Sequence, residues 1–148
     1  MTNWIRMSST YISIDAINHS EQLAFAIELM SQLENSKLHK GDKDVGLLSM
    51  CQQVSRTMNG GRMTCCKSGK DRTSMSVTLE CATLLSKEAE IAGINPIHLL
   101  SVLRRRGVRR QNLIKNIGKP YYAFNQIQWI NLPKMYRPPN GCFGSGKT

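Results

Sequence analysis

Three features are missing from this sequence, and each absence excludes a class of protein. No apolar run approaches the roughly 20 residues that a membrane-spanning helix needs, and the polar beginning, MTNWIRMSST, lacks the apolar stretch of a secretory leader. The five cysteines include no C-x-x-C pair that would indicate zinc, and their odd number, with Cys65 and Cys66 adjacent, does not fit a disulfide framework. We therefore expect a cytoplasmic protein with reduced thiols and no bound metal.

Acidic residues are also missing, but only from the last third of the chain. The sequence has 20 Lys and Arg against 10 Asp and Glu, and all 10 acidic residues lie before residue 101. Residues 1–100 hold 10 of the basic residues as well, so the whole net charge of +10 belongs to residues 101–148. This asymmetry predicts a negatively charged partner for the C-terminal region.

Five arginines dominate the basic region: Arg104, Arg105, Arg106, Arg109 and Arg110. The alternatives are a contact with nucleic acid, a contact with an anionic membrane, or a solvated helix face. No aromatic residues are interleaved with the arginines and no nucleic-acid-binding module accompanies them, so we expect no nucleic-acid partner. A peripheral contact with anionic lipid, worth about 1 kcal/mol per basic residue near the surface, fits better. A solvated face fits equally well.

Apolar residues recur at intervals of three and four over most of the chain, which predicts helices. The predicted helices span residues 20–38, 44–58, 73–85, 95–106, 111–116 and 122–130. The short run 62–65 predicts a strand, and the run 10–14 alternates like a strand but fits a connector equally well. This order of elements indicates an α/β domain that leans toward helix.

Local signals refine these predictions. Asn95 followed by Pro96 gives a cap and a first-turn proline, while Asn59 and the two glycines after it end the second helix. The helix over 73–85 has few polar positions on any face and is expected to be buried all round. Four aromatic residues are expected in the core: Tyr121, Tyr122, Phe124 and Trp129.

The loop between the strand predicted over 62–65 and the third helix carries the chemistry. It reads Cys66-Lys67-Ser68-Gly69-Lys70-Asp71-Arg72-Thr73. A loop in this position turns backbone N–H groups inward, and with the positive end of the helix they form a cradle for a tetrahedral anion. Gly69 permits the tight curvature, and Arg72 can offer two parallel N–H donors to phosphate oxygens.

The same cradle stabilises a thiolate. A free cysteine has a pKa of ~8.5, and a helix N-terminus with adjacent cations lowers the pKa to roughly 3.5–7.5. The Cys66 thiolate can then attack phosphorus, the Thr73 hydroxyl can hydrogen-bond the sulfur, and water can hydrolyse the cysteinyl-phosphate. This chemistry requires no metal and no cofactor.

The departing oxygen needs a proton from a general acid. Asp71 lies within the loop and is favoured, while Asp42 and Asp44 lie on the preceding turn, from which a mobile segment could bring in an acid. A structural alternative also stays open: Asp71 pairs with Lys70 or Arg72 and only shapes the loop.

Three stretches resemble one known family. CCKSGKDRTSMSVTLE resembles the active-site signature of the inositol polyphosphate 4-phosphatases, and the segments KNIGKPYYAFNQIQW and YRPPNGCFG resemble the sequence that follows it in that family. The resemblance covers about residues 44–148. The core loop is also similar to that of secreted bacterial phosphoinositide phosphatases, and the Asp-Arg pair is similar to that of the myotubularin and Sac lipid phosphatases.

The resemblance implies an α/β cysteine-dependent phosphatase domain, similar to dual-specificity phosphatases. It would have a small central sheet, a strand, phosphate loop and helix around the active site, and a helical C-terminal half. Residues 1–148 would form the catalytic domain or a fragment of it, because family members are long proteins with an N-terminal C2 domain. Cys66 would be the nucleophile, Arg72 the phosphate clamp, and Lys67 and Lys70 the cations that face the other phosphate of the headgroup.

The resemblance also implies the substrate. The expected reaction removes the 4-phosphate of phosphatidylinositol 3,4-bisphosphate or of soluble inositol polyphosphates, at an anionic membrane surface in the cytoplasm, with recruitment to endosomal or plasma membranes. Ser68, Gly69 and Thr73 would complete the substrate-binding loop. The alternatives are a protein-directed dual-specificity phosphatase and a catalytically silent phosphoinositide-binding or scaffold fragment.

Overall fold

The structure, a computed structural model, describes residues 20–37, 46–88 and 95–144. These ranges contain six α-helices and one 3₁₀ turn: α1 (Ser20–Lys37), α2 (Gly46–Thr57), α3 (Asp71–Glu88), α4 (Pro96–Arg106), α5 (Val108–Ile117), α6 (Gln126–Asn131) and the 3₁₀ turn Lys134–Tyr136. The chain divides into two compact units, residues 1–64 and 65–148. In the part of the chain described, no helix is both long and apolar enough to cross a bilayer.

The predicted α/β fold with a small central sheet is wrong, because the described residues contain no β-strand. The segment 62–65, predicted as a strand, is neither helical nor paired in a ladder. A short alternating run favours an extended backbone, but a strand forms only where a second segment supplies hydrogen-bond partners. The alternating run 10–14 lies outside the described residues.

In the first unit, α1 and α2 bury one apolar face each. The residues that form this core are Ala26, Leu29, Val54 and Met58, with Leu33 packed beside them. Helix α1 confirms the helix predicted over 20–38, and its remaining apolar residues, such as Phe25 and Ile27, are exposed. The Asp44 cap predicted for α2 lies outside the described residues.

Helix α2 ends at the predicted place. Asn59 has a φ of 49°, in the left-handed region that Asn and Gly tolerate best. Its N–H donates to the Arg56 carbonyl at 2.9 Å, and the Gly60 N–H donates to the Ser55 carbonyl at 2.7 Å. These two bonds form a Schellman motif, which supplies donors to carbonyls that the helix end would otherwise leave without partners.

In the second unit, α3 packs against α4 and the 3₁₀ turn. Met75 and Ala82 on α3 are buried, whereas Val77 and Leu85 are exposed, so α3 is not buried all round as predicted. Helix α4 begins as predicted, because the Asn95 side chain accepts a hydrogen bond from the Ile97 N–H at 2.9 Å.

The segment after α5 folds back across the second unit. Tyr122 and Phe143 form an isolated parallel bridge, in which the Tyr122 N–H donates to the Cys142 carbonyl at 2.8 Å. The Trp129 and Phe143 rings stack with centroids 5.1 Å apart. Of the four aromatic residues predicted in the core, Tyr122 and Phe124 are buried, Trp129 is half-buried, and Tyr121 is exposed.

The arginine cluster does not form a single solvated face. Arg104 is buried, the Arg109 side chain is largely covered, and Arg110 is half-buried. Arg105 and Arg106 are exposed. Part of the positive charge that the sequence places in this region therefore serves contacts inside the fold.

Candidate active site

The candidate loop leads directly into α3. Residues 66–70 form the turn, and α3 begins at Asp71, so Arg72 and Thr73 lie in its first turn. Gly69 has a φ of +62°, and its N–H donates to the Cys66 carbonyl at 2.9 Å. A left-handed φ favours glycine, which explains this residue at the sharpest point of the loop.

Cys66 sits at the base of this turn, buried and close to Thr73. The Cys66 N–H donates to the Thr73 Oγ1 at 2.9 Å, which leaves the Thr73 hydroxyl hydrogen free to point at the sulfur. The Ser68 Oγ lies 3.8 Å from the Cys66 Sγ. The neighbouring Cys65 is exposed.

These contacts favour a thiolate at Cys66. Burial raises the pKa of the Cys66 thiol, but hydrogen bonds from the Thr73 hydroxyl, from the Thr73 and Lys70 backbone N–H groups and from Ser68 outweigh it, so the pKa falls to about 6. A group that receives several hydrogen bonds in its charged form is stabilised in that form. Cys66 is therefore mostly thiolate near neutral pH.

The rim of the loop is cationic. Lys67, Ser68 and Gly69 are exposed, and Lys70 and Arg72 are half-buried. An anion that approaches the sulfur would therefore meet backbone N–H groups, the N-terminal end of an 18-residue helix and three basic side chains.

Asp71, the favoured acid, is held inside the fold. Its side chain is buried, its Oδ1 accepts a hydrogen bond from the Arg109 Nε at 2.5 Å, and its Oδ2 accepts one from the Ala123 N–H at 2.7 Å. Sequence position suggested Lys70 and Arg72 as partners of this carboxylate, whereas Arg109 lies 38 positions away and no local signal points to it. The alternative acids, Asp42 and Asp44, lie outside the described residues.

Arg104 is the centre of a buried hydrogen-bond network beside α3. Its guanidinium donates to one hydroxyl and three carbonyl oxygens at 2.7 to 3.0 Å: Thr78 Oγ1, Met75 O, Met135 O and Arg137 O. Burial lowers the pKa of Arg104 to about 10, so the group remains charged near neutral pH. This single side chain joins α3, α4 and the segment around the 3₁₀ turn.

Tyr122 belongs to the same hydrogen-bond network as Arg104. Its hydroxyl donates to the Arg104 carbonyl at 2.8 Å, and burial raises the pKa of Tyr122 to about 12. The apolar ring of Tyr122 predicts a core position, but the hydrogen bond of its hydroxyl is made to a residue 18 positions away. No spacing rule connects the two.

Replacing Thr73 by valine is expected to raise the pKa of Cys66 from about 6 toward the ordinary value near ~8.5, because the thiolate loses a hydrogen-bond donor. The pH dependence of iodoacetamide alkylation, read by mass spectrometry on the peptide that contains Cys66, measures the midpoint. Thr83→Val is the matched control, because Thr83 is exposed on the same helix. Equal midpoints in the two variants would contradict the contact.

The family model and the relatives that match this chain point to the same family. Residues 2–136 match the family described as the INPP4A C-terminal domain. The chain is 40% identical over 134 residues to the rat type II inositol 3,4-bisphosphate 4-phosphatase and to the human inositol polyphosphate 4-phosphatase type II. These alignments cover 90% of this chain and 14% of each relative, so the chain spans about one seventh of their length.

A third relative is named for Rac exchange and not for phosphatase activity. The chain is 35% identical over 77 residues to the human phosphatidylinositol 3,4,5-trisphosphate-dependent Rac exchanger 2 protein. This match covers 50% of the chain and 5% of the relative. No solved structure matches the chain.

Proposed function

Because the chain belongs to the INPP4A C-terminal domain family, we propose that it carries the reactive loop of a phosphoinositide 4-phosphatase. The proposed substrates are phosphatidylinositol 3,4-bisphosphate and soluble inositol polyphosphates. The observation that carries the proposal is the Cys66 thiol, whose pKa of about 6 reflects hydrogen bonds received at the N-terminus of α3. The names of the 40% identical relatives supply the substrate class.

The proposed reaction has two steps. The Cys66 thiolate attacks phosphorus, an S–P bond forms, the P–O bond to the inositol ring breaks, and the departing oxygen takes a proton from a general acid. Water then attacks the cysteinyl-phosphate, the S–P bond breaks, and inorganic phosphate leaves. The Thr73 hydroxyl, which hydrogen-bonds the sulfur, stabilises the thiolate as it departs.

The rest of the loop is proposed to bind the phosphates. Arg72 would offer two parallel N–H donors to the phosphate under attack, and the Ser68 and Gly69 backbone would close the cradle around it. Lys67 and Lys70 would face the second phosphate of the headgroup. A headgroup with two phosphates favours extra cations beside the loop more than a single phosphoester does.

Sequence and structure favour different roles for Asp71 in this mechanism. Sequence position favours Asp71 over Asp42 and Asp44, but Asp71 Oδ1 and Oδ2 already accept hydrogen bonds from Arg109 and Ala123. An acid must direct a proton at the leaving oxygen. The contacts of Asp71 thus support the alternative in which it shapes the loop.

Membrane recruitment forms part of the proposal. A cytoplasmic phosphatase would meet its lipid substrate at an endosomal or plasma membrane, and the exposed Arg105 and Arg106 could contact anionic lipid there. The buried Arg104 is not available for such a contact.

A second candidate function is phosphoinositide binding without turnover. It is favoured by the similarity to a relative named for Rac exchange, which covers half of the chain. It is also favoured by the absence of strands among the described residues, because a dual-specificity phosphatase site is built on a sheet. Cations around an anion cradle serve binding as well as catalysis.

The decisive experiment is the regiochemistry of the lipid product. The chain is incubated with vesicles that contain phosphatidylinositol 3,4-bisphosphate, and the lipid is separated by chromatography. The 4-phosphatase proposal expects phosphatidylinositol 3-phosphate together with inorganic phosphate. Vesicle binding without phosphate release would support the second candidate, and faster hydrolysis of phosphopeptides than of lipid would indicate a protein-directed phosphatase.

A further inference from the structure

The contact between Asp71 and Arg109 joins the candidate loop to a distant helix. Asp71 is the first residue of α3, and Arg109 lies 38 positions later, in the first turn of α5. The two side chains are only 8% and 14% exposed, respectively, so water screens the pair little. Asp71 Oδ2 also accepts the Ala123 N–H, from the segment that follows α5.

This contact lies next to the groups that stabilise the thiolate. The Lys70 backbone N–H, which hydrogen-bonds the Cys66 sulfur, belongs to the residue before Asp71. Arg72, the proposed phosphate clamp, is the residue after it. Two donors from another part of the fold hold the Asp71 carboxylate, and the backbone that carries this side chain joins Lys70 to Arg72.

We propose that Arg109 and Asp71 are positioning residues that hold the loop from 66 to 72 in the conformation that stabilises the Cys66 thiolate and aims Arg72. Asp71 then acts as a hydrogen-bond acceptor and not as the proton donor. The inference rests on the proposed function for its catalytic consequence, but its effect on the thiol can be measured without turnover. Arg109 makes this contact through Nε, so a lysine can keep the charge but not the guanidinium geometry.

The test compares three variants of the full chain with the wild type: Asp71→Asn, Arg109→Gln and Arg109→Lys. Each of the first two variants removes the ion pair, and we expect both to raise the pH midpoint of Cys66 alkylation and to lower kcat by about ten- to a hundredfold. The loss should be equal for an alkyl phosphate, such as the inositol lipid, and for an aryl phosphate whose leaving group needs no proton. Arg109→Lys should lie between the wild type and Arg109→Gln.

Lys115→Gln is the matched control, because Lys115 is an exposed cation on the same helix as Arg109. It should change neither the alkylation midpoint nor kcat. The double variant Asp71→Asn with Arg109→Gln should have a kcat no lower than that of the worse single variant, because both substitutions remove the same interaction.

Two results would overturn the inference. The first is that Asp71→Asn lowers kcat much more on the alkyl phosphate than on the aryl phosphate, while Arg109→Gln keeps its activity. This pattern would identify Asp71 as the acid. The other is an unchanged alkylation midpoint in folded Arg109→Gln and Arg109→Lys. A wild-type chain without turnover would refute the phosphatase proposal, yet the alkylation midpoints would still decide whether Arg109 positions the loop.

Discussion

Cys66→Ser is expected to lower phosphate release by roughly a thousandfold or more, because a serine hydroxyl is a weak nucleophile without a base beside it. In the wild type the thiol pKa of about 6 makes the nucleophile available near neutral pH. Activity that depends on the thiolate should therefore fall as the pH drops below about 6, as the sulfur takes up its proton. The measurement is release of inorganic phosphate from a short-chain phosphatidylinositol 3,4-bisphosphate.

Cys65→Ser is the matched control for this substitution. Cys65 is the adjacent residue, carries the same thiol, and is exposed. The Cys65→Ser variant should keep wild-type activity, because Cys65 is not the proposed nucleophile. A chelator should leave that activity unchanged, because no metal takes part in the proposed reaction. A requirement for metal, or equal losses in the two serine variants, would contradict the cysteinyl-phosphate mechanism.

Arg104→Met is expected to have the largest effect on stability. The methionine keeps the apolar stem but removes all the donors, so the carbonyls of Met75, Met135 and Arg137 lose a charged partner inside the protein. Leaving a buried acceptor without its donor costs about 1–3 kcal/mol, so the loss of these hydrogen bonds is expected to lower the free energy of unfolding by about 3–5 kcal/mol. For a chain of this size that corresponds to a Tm lower by about 10–16 °C.

Arg106→Met is the control for this prediction, because Arg106 belongs to the same last turn of α4 and is exposed. Its effect should stay within about 0.5 kcal/mol. Arg104→Lys should destabilise almost as much as Arg104→Met, since one ammonium group cannot reproduce the planar fork. Denaturant unfolding measures all three, and equal midpoints for the Arg104 and Arg106 variants would show that the hydrogen bonds of Arg104 add no stability.

Local sequence signals predicted the start of α4, the end of α2 and the position of the candidate loop. Asn95 with Pro96 starts α4, and Asn59 with Gly60 ends α2, because a cap needs only side-chain chemistry and backbone freedom within a few residues. The position of the candidate loop before α3 follows from the same short-range signals. Gly69 is one of them, and its φ of +62° is a left-handed conformation that glycine adopts easily.

The failed predictions concern partners that are distant in sequence. The segment 62–65 was predicted as a strand although its sequence carries no information about a second strand. Arg104 and Arg109 were grouped with three neighbouring arginines because charge alone does not distinguish an exposed guanidinium from a buried one. Their actual partners, at Met75 and Asp71, lie 29 and 38 positions away.

The sequence by itself therefore determined the candidate loop: a cysteine, a turn glycine and an arginine in the first turn of a helix, all set by contacts within eight residues. The tertiary structure alone decided which distant groups contact Asp71 and Arg104. It brings Arg109 into contact with Asp71, and it places the Arg104 guanidinium against the Met75 carbonyl on α3. The physical reason is that a buried charge is stabilised by whichever donors and acceptors the packing brings near, and packing depends on the whole chain.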